Sequence, residues 1–387
     1  MRIGWVGLGR LGLPCAQAQE SAGHTVIGTD LVHREWAGFR GSIGAVVAES
    51  DIIYVAVQTP HAPQFGGESR INGEYRDFEY GYLDDAYREV CRAVERGNQA
   101  KTVAVVSTCL PGTIRRRLVP VTPGQVQLIY HPLFIAQGTV REDYINPEFV
   151  LLGLGESDSG ADGRIMDLYS SLCPGAPIVS VGYESAEMAK MTYNTFISMK
   201  ILVANGLMEM CEHTAADCDE VLSVLSHATR RLWSPAYMRG GMGDGGACHP
   251  RDNVALAYLA DKLRLSYNLF ATVIDGREQQ ARFIAESARK WSEVSGLPIA
   301  LCGKEYKADS DITDGSAALL VQALLDPTPA FVEPDTVNDP RVFVITCNHT
   351  RYEGARFPPG SIVVDPWGYM PVTDDDGVMV QHLGRNW

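Results

Sequence analysis

Hydrophobic positions fall first into short strands separated by helices. Arg2 to Val6 is a brief apolar run ended by glycine, which reads as a buried strand. Leu13 to Ala22 is longer and alanine-rich, as a helix would be, and Gly23-His24 leads into a second strand, Thr25 to Gly28. The alternation continues with a helix end at Ala45 to Glu49, a buried strand at Asp51 to Val57 and an amphipathic helix at Leu83 to Glu95. Strands at Thr102 to Val106, Val126 to Tyr130, Phe149 to Gly153 and Ile178 to Val181 follow. Strands alternating with helices predict an α/β unit on a mostly parallel sheet. The pattern then turns helical, roughly Ser185 to Thr214, Asn253 to Leu263 and Asn268 to Trp291. Strands return at Pro298 to Gly303, Val342 to Thr346 and Ser361 to Val364, predicting a second α/β unit. His61 to Tyr82 has no period and reads as an excursion or as a substrate-side lid.

The first strand and helix are joined by Gly7-Leu8-Gly9-Arg10-Leu11-Gly12, and the second strand ends at Asp30. Strand, Gly-x-Gly-x-x-Gly, helix, strand and acid in that order are the dinucleotide fingerprint. The glycines let backbone amides and a helix N-terminus meet a pyrophosphate. Asp30 is placed to accept hydrogen bonds from ribose hydroxyls and to repel a 2′-phosphate, so the expected cofactor is NAD.

Composition narrows the remaining choices. The 387 residues suggest two or three domains, and 45% apolar with 21% charged residues is ordinary for a globular protein. A net charge of −14 argues against nucleic acid or an anionic membrane as partner. No apolar run reaches membrane-spanning length, and a strand at the amino terminus leaves no room for a signal peptide. Nine scattered cysteines without a Cys-x-x-Cys pair indicate neither a zinc site nor a disulfide framework. No metal is expected, and a reduced cytoplasm is the expected location.

The densest chemical signal is Gly240-Gly241-Met242-Gly243-Asp244-Gly245-Gly246-Ala247-Cys248-His249-Pro250-Arg251-Asp252. Glycines bring backbone close to a ligand, and a thiol at the end of such a loop can approach a bound molecule; a plain surface loop is the competing reading. The stretch resembles the active-site signature of the nucleotide-sugar 6-dehydrogenases, the UDP-glucose and GDP-mannose dehydrogenase family. Gly241, Gly243, Gly245, Gly246, Cys248, Pro250 and Asp252 match that signature, while Arg251 replaces its lysine.

Other segments carry the same resemblance. Val57-Gln58-Thr59-Pro60 matches a turn that lies against the cofactor, and Ser107 to Thr113 matches a turn whose first threonine, here Thr108, faces the reacting centre. Thr108 as a helix-cap hydroxyl is the alternative. Ala186-Glu187-x-x-Lys190-x-x-x-Asn194 matches the catalytic helix, Lys200 repeats a further position, and Gly303 to Lys307 matches the start of the last domain. Three departures stand out. His131-Pro132-Leu133-Phe134-Ile135-Ala136-Gln137 has Leu133 and Gln137 where the family has glutamates, and Asp314 replaces an arginine.

The resemblance implies an NAD-binding Rossmann domain at 1–182, a central helical dimerisation domain at 183–292 and a truncated C-terminal Rossmann-like domain at 293–387. It implies catalytic roles for Cys248, Lys190, Asn194, Asp252 and Thr108. The cofactor would meet Gly7, Leu8, Gly9, Arg10, Leu11, Gly12, Asp30, Val57, Thr59, Pro60 and Thr108. A nucleotide sugar would meet Leu133, Phe134, Ile135, Gln137, Lys190, Asn194, Gly243, Gly245 and Lys307. The implied activity is NAD-dependent oxidation of a sugar 6-hydroxyl to a uronic acid through a Cys248 adduct, in a homodimer. Without the glutamate at Leu133 hydrolysis is expected to be the slow step, so that an acyl-Cys248 accumulates or the aldehyde is released after one NADH. His131 and His249 are the nearby candidates to substitute as base. Two rivals are a two-electron β-hydroxyacid-type dehydrogenase and a nucleotide-binding regulator without turnover.

Overall fold

A computed structural model describes residues 1–60, 76–136, 138–155, 163–234, 236–246, 248–371 and 377–384. The 61–75 part of the stretch read as an excursion or lid, and Gln137, lie outside them. The chain divides into two compact units, Met1–Ser198 and Met199–Trp387.

The first unit is built on β1 (Arg2–Val6), β2 (Thr25–Thr29), β3 (Ile52–Val55), β4 (Lys101–Val105), β5 (Val126–Tyr130), β6 (Val150–Leu154) and β7 (Ile178–Gly182). They form one sheet in the order β2-β1-β3-β4-β5-β6-β7, with every pair parallel except β5 with β6. Ile52 to Val55 is fully buried because helices cover both faces of the sheet. Period-two alternation divides that run: Ile53 and Val55 face one core, while Ile52 and Tyr54 face the other. α3 (Gly81–Gly97) lays Leu83, Tyr87, Val90 and Val94 on the first of these cores. The strand order reverses between β1 and β3, with α1 (Gly12–Ser21) following β1, so a crevice opens at the carboxyl ends of those two strands.

α6 (Tyr183–Glu212) is a 30-residue helix shared by the two units. The second unit continues with α7 (Cys218–Ser226), α8 (His249–Leu263), α9 (Leu269–Ser295) and α10 (Ala317–Ala323). Its sheet takes β8 (Ile299–Cys302), β9 (Val342–Ile345), β10 (Ile362–Asp365) and β11 (Met379–His382), all parallel, in sequential order. Ala281, Ile284, Ala285 and Ala288 of α9 pack on Leu301, Val342, Val344 and Val364, the alanines letting the helix come close. On the opposite face Phe343, Ile345 and Val363 meet Tyr352 and Met370.

The hydrophobic pattern placed the strands within one or two residues. It did not predict α7, α10, β11, the short helix α4 (Val140–Ile145) or α5 (Gly163–Leu172). α8 starts four residues before the expected Asn253, with Pro250 in its first turn, where a missing N–H costs nothing.

Candidate active site

The glycine turn sits at the reversal point of the sheet. Gly7 has φ +99°, and a Cβ there would meet the Ala56 carbonyl oxygen at 2.5 Å, at the end of β3. Gly9 is exposed, with open space where a Cβ would be, so the backbone at the start of α1 can meet a ligand directly. Asp30 Oδ2 accepts from the Leu8 amide at 2.7 Å and Oδ1 from the Val32 amide at 3.0 Å, which ties the acid to the turn. Arg34, which the sequence reading passed over, stands 3.7 Å from Asp30 Oδ2. A glycine cradle, a helix N-terminus and a carboxylate beside it fit a dinucleotide. Arg10 is exposed, Leu11 is half-buried and Gly12 is packed against the Gly7 backbone.

Val57, Thr59 and Pro60 leave the end of β3 half-buried, and Thr59 Oγ1 donates to the Thr108 carbonyl at 2.6 Å. That bond joins two turns that the sequence had identified separately. Thr108 caps no helix. The next helical turn, Ile114–Leu118, takes its partner from α6: Glu187 accepts from the Gly112 amide at 2.5 Å and the Ile114 amide at 2.8 Å. The Cys109 thiol donates to the same carboxylate at 3.5 Å. Burial raises the Glu187 carboxyl above the usual range, and the amide hydrogen bonds hold it back. Glu187 belongs to the Ala-Glu-x-x-Lys motif, and this anchoring of the turn is a role the motif does not announce. A carboxylate in an apolar helix was the available signal, since a buried charge needs donors.

One turn further along α6, Lys190 donates to the Leu133 carbonyl at 2.7 Å and lies over the Phe134 ring, 4.9 Å from its centroid. Desolvation lowers its affinity for the proton. Leu133 is buried among apolar groups, Phe134 and Ile135 are half-buried, and Asn194 is exposed on the next turn.

His131 cannot be the substitute base. It is buried, with Nδ1 at 2.8 Å from the Leu151 carbonyl and Nε2 at 2.5 Å from the Tyr169 hydroxyl. The carbonyl fixes the proton on Nδ1, so Nε2 accepts from Tyr169. Tyr144 donates to Tyr169, Gln19 to Tyr144 and Trp5 to Gln19, giving a one-way chain of buried hydrogen bonds. Burial lowers the His131 imidazole to about 4.

In the second unit Cys248 is exposed at the N-terminus of α8. Two of the glycines before it serve protein packing. A Cβ on Gly245 would meet Tyr306 at 2.7 Å, and one on Gly246, at φ +84°, would come within 3.0 Å of the same ring. Gln280 donates to the Gly241 carbonyl at 2.6 Å, and Arg277 donates to the carbonyls of Asp244 at 3.2 Å and Gly315 at 2.9 Å. α9 and the loop after β8 therefore hold the cysteine loop from two sides. Gly243 is half-buried and only in ordinary contact with Arg277 and Gln280, while Lys307, beside Tyr306, is exposed. Asp252 is paired with its exposed neighbour Arg251 at 2.9 Å.

Residues 33–173 match the sequence profile of the UDP-glucose/GDP-mannose dehydrogenase family, NAD binding domain, and residues 184–278 match its central domain. Together they cover more than half of the chain. The chain belongs to the UDP-glucose/GDP-mannose dehydrogenase family. It is an NAD-dependent nucleotide-sugar dehydrogenase by that membership. GDP-mannose 6-dehydrogenase of Pseudomonas aeruginosa is 26% identical over 351 residues, covering 80% of this chain and 75% of that protein. UDP-glucose 6-dehydrogenase of Rhizobium meliloti is 26% identical over 351 residues, covering 87% and 77%. A crystal structure of a ternary complex of GDP-mannose dehydrogenase from Pseudomonas aeruginosa shares the fold, with a TM-score of 0.81 at 23% identity over 98% of this chain and 99% of that one. Family membership sets aside the regulator and β-hydroxyacid readings as descriptions of the class.

Proposed function

We propose that this dehydrogenase oxidises the 6-hydroxyl of a nucleotide hexose, GDP-mannose or UDP-glucose, and that Cys248 forms a covalent adduct with the aldehyde. The observation that carries this reading is Cys248 itself, exposed at the end of a glycine loop that is held on both sides. The N–H groups at the start of α8 also favour negative charge beside the thiol. NAD, when bound, supplies the hydride acceptor; Gly7 to Gly12 and Asp30 would hold it, with Val57, Thr59, Pro60 and Thr108 at the neighbouring strand ends.

The substrate chemistry balances as follows. The hydroxyl loses a proton and its carbon a hydride, giving an aldehyde. The Cys248 thiolate adds to the carbonyl carbon, giving a thiohemiacetal as its alkoxide. Loss of a second hydride from that carbon gives a thioester. The family signature assigns Lys190 and Asn194 to the charge on the substrate oxygen, fixed electrostatics of a kind that often supplies the largest catalytic contribution. Asp252 and Lys307 are carried over from the same signature, as are Gly243 and Gly245 beside the sugar. Hydrolysis of the thioester to the acid is the altered step, because Leu133 cannot accept a proton.

The profile matches at 33–173 and 184–278 support a division at 1–182, 183–292 and 293–387. We also propose a homodimer on α6, where Phe196, Ile197, Met199, Ile201, Leu202 and Val203 are all exposed. All nine cysteines are free, which supports a reducing compartment such as the cytoplasm. No helix among the described residues is long and apolar enough to cross a membrane.

NADH appearance with GDP-mannose and UDP-glucose tests the substrate reading, and Cys248→Ser tests the adduct. The variant should stop after one NADH per sugar. Two NADH per sugar from Cys248→Ser, or none from the wild type with either sugar, would overturn the respective part.

A further inference from the structure

The inference here rests on the thioester reading above and concerns how that thioester is opened. Water must attack the acyl carbon and give up a proton to a positioned acceptor. Leu133 has no acceptor, both nitrogens of His131 are engaged in the core, and Asp252 is tied to Arg251. His249 follows Cys248 directly, in the first turn of α8, and its side chain is 60% exposed. His249 Nδ1 lies 4.0 Å from Asp244 Oδ2. The other carboxylate oxygen of Asp244 lies 2.8 Å from Arg277 Nε, and the Arg277 side chain is only 16% exposed. Arg277 is further fixed by its hydrogen bonds to the Asp244 and Gly315 carbonyls. A largely covered guanidinium thus ion-pairs with a half-buried carboxylate, whose other oxygen faces an imidazole in solvent, where the water is.

A carboxylate facing Nδ1 draws the ring proton to that nitrogen and leaves Nε2 free to accept another. We propose that His249 is the general base of thioester hydrolysis, with Asp244 and Arg277 as its positioning residues. The water oxygen bonds to the acyl carbon while its proton passes to His249 Nε2. The tetrahedral adduct collapses, the carbon–sulfur bond breaks, Cys248 leaves as thiolate and the sugar acid departs. No oxidant enters this step. Both hydrides have already been taken up in forming the thioester.

The test compares wild type, His249→Gln and Asp244→Asn with GDP-mannose and UDP-glucose as probes. His249→Gln should form two NADH per subunit in a first turnover close to the wild-type rate, then slow by about 10²–10⁴-fold, the usual contribution of a positioned base. Intact-protein mass should show an acyl group on Cys248, and hydroxylamine, which cleaves thioesters without a base, should restore turnover. Asp244→Asn should show the same adduct with a smaller slowing. A role in folding alone would produce neither the adduct nor the rescue. Steady release of two NADH per sugar by His249→Gln at the wild-type rate, with no adduct, overturns the inference and leaves the Cys248 reading intact. One NADH per sugar from the wild type, or none from either probe, overturns the reading on which it rests and the inference with it.

Discussion

The Lys190 ammonium is bonded to the backbone carbonyl of Leu133, 2.7 Å from Nζ to O. Leu133, which stands where the family has a glutamate, therefore still holds the lysine of α6, through its main chain. Among the described residues the Phe134 face and this carbonyl meet the charge, but desolvation prevails and Lys190 gives up its proton more easily than a free lysine. If the ammonium stabilises developing negative charge, kcat should fall on the alkaline side below about pH 10.4, the ordinary lysine value. Lys190→Met should lose about 10²–10³-fold in kcat and also lose that limb. A pH–rate profile of both proteins checks it, and an unchanged alkaline limb in Lys190→Met would assign the titration elsewhere.

Glu187 is expected to act on the reaction through the turn it holds. Glu187→Gln keeps the shape but points an amide NH2 at a backbone donor, leaving either Gly112 or Ile114 unsatisfied, which costs about 1–3 kcal/mol. Because burial raises the Glu187 carboxyl, its ionisation opposes folding. Wild-type stability should decline as pH rises from about 4.3, the free glutamate value, through the raised native value, and this decline should be absent in the variant. Urea unfolding across that range measures both effects. A drop in kcat larger than the change in KM would separate displacement of Thr108 from loss of binding.

His131 supplies a second pH signature of opposite sign. Its folded value near 4 lies below the ordinary 6.5, so stability is fully present above 6.5 and is lost as pH falls through that window towards 4. The loss should be on the order of 3 kcal/mol. His131→Phe removes this dependence, although it is less stable at neutral pH because the Tyr169 hydroxyl and Leu151 carbonyl lose their partner. Equal slopes in wild type and variant between pH 6.5 and 4.5 would place the titrating group elsewhere.

Cofactor preference should turn on Asp30 with Arg34 as its counterpart. Asp30→Ala removes the repulsion of a 2′-phosphate and frees a guanidinium 3.7 Å away to receive it. We expect the variant to gain efficiency with NADP, and Asp30→Ala/Arg34→Ala to lose that gain. An equal gain in both would show that Arg34 does not reach the phosphate.

Assembly is testable on α6. Ile201→Glu with Phe196→Glu puts two charges on the exposed apolar face and should convert a dimer to monomer in sedimentation at micromolar concentration. A wild-type protein that sediments as an active monomer would end the proposal.

The sequence alone determined the parts that depend on neighbours along the chain. Strand–glycine turn–helix–strand–Asp30 is local, and a buried parallel strand such as Ile52 to Val55 announces itself by being apolar throughout. The signature around Cys248 is likewise one uninterrupted stretch. Only the tertiary structure decided what each polar side chain does, because its partner comes from a distant segment. Sequence spacing left His131 and His249 equal as bases. Packing against Tyr169 and Leu151 spends both nitrogens of the first, whereas the second is exposed with Asp244 4.0 Å from its Nδ1. Gly245 and Gly246 read as room for a ligand, and the structure adds that a Cβ at either would meet Tyr306, sixty residues on. Glu187 was visible as a charge in an apolar helix, but its donors, Gly112 and Ile114, lie more than seventy residues earlier in the chain. A period can tell which face of an element is buried; it carries no record of which hydrogen-bond donors meet it there.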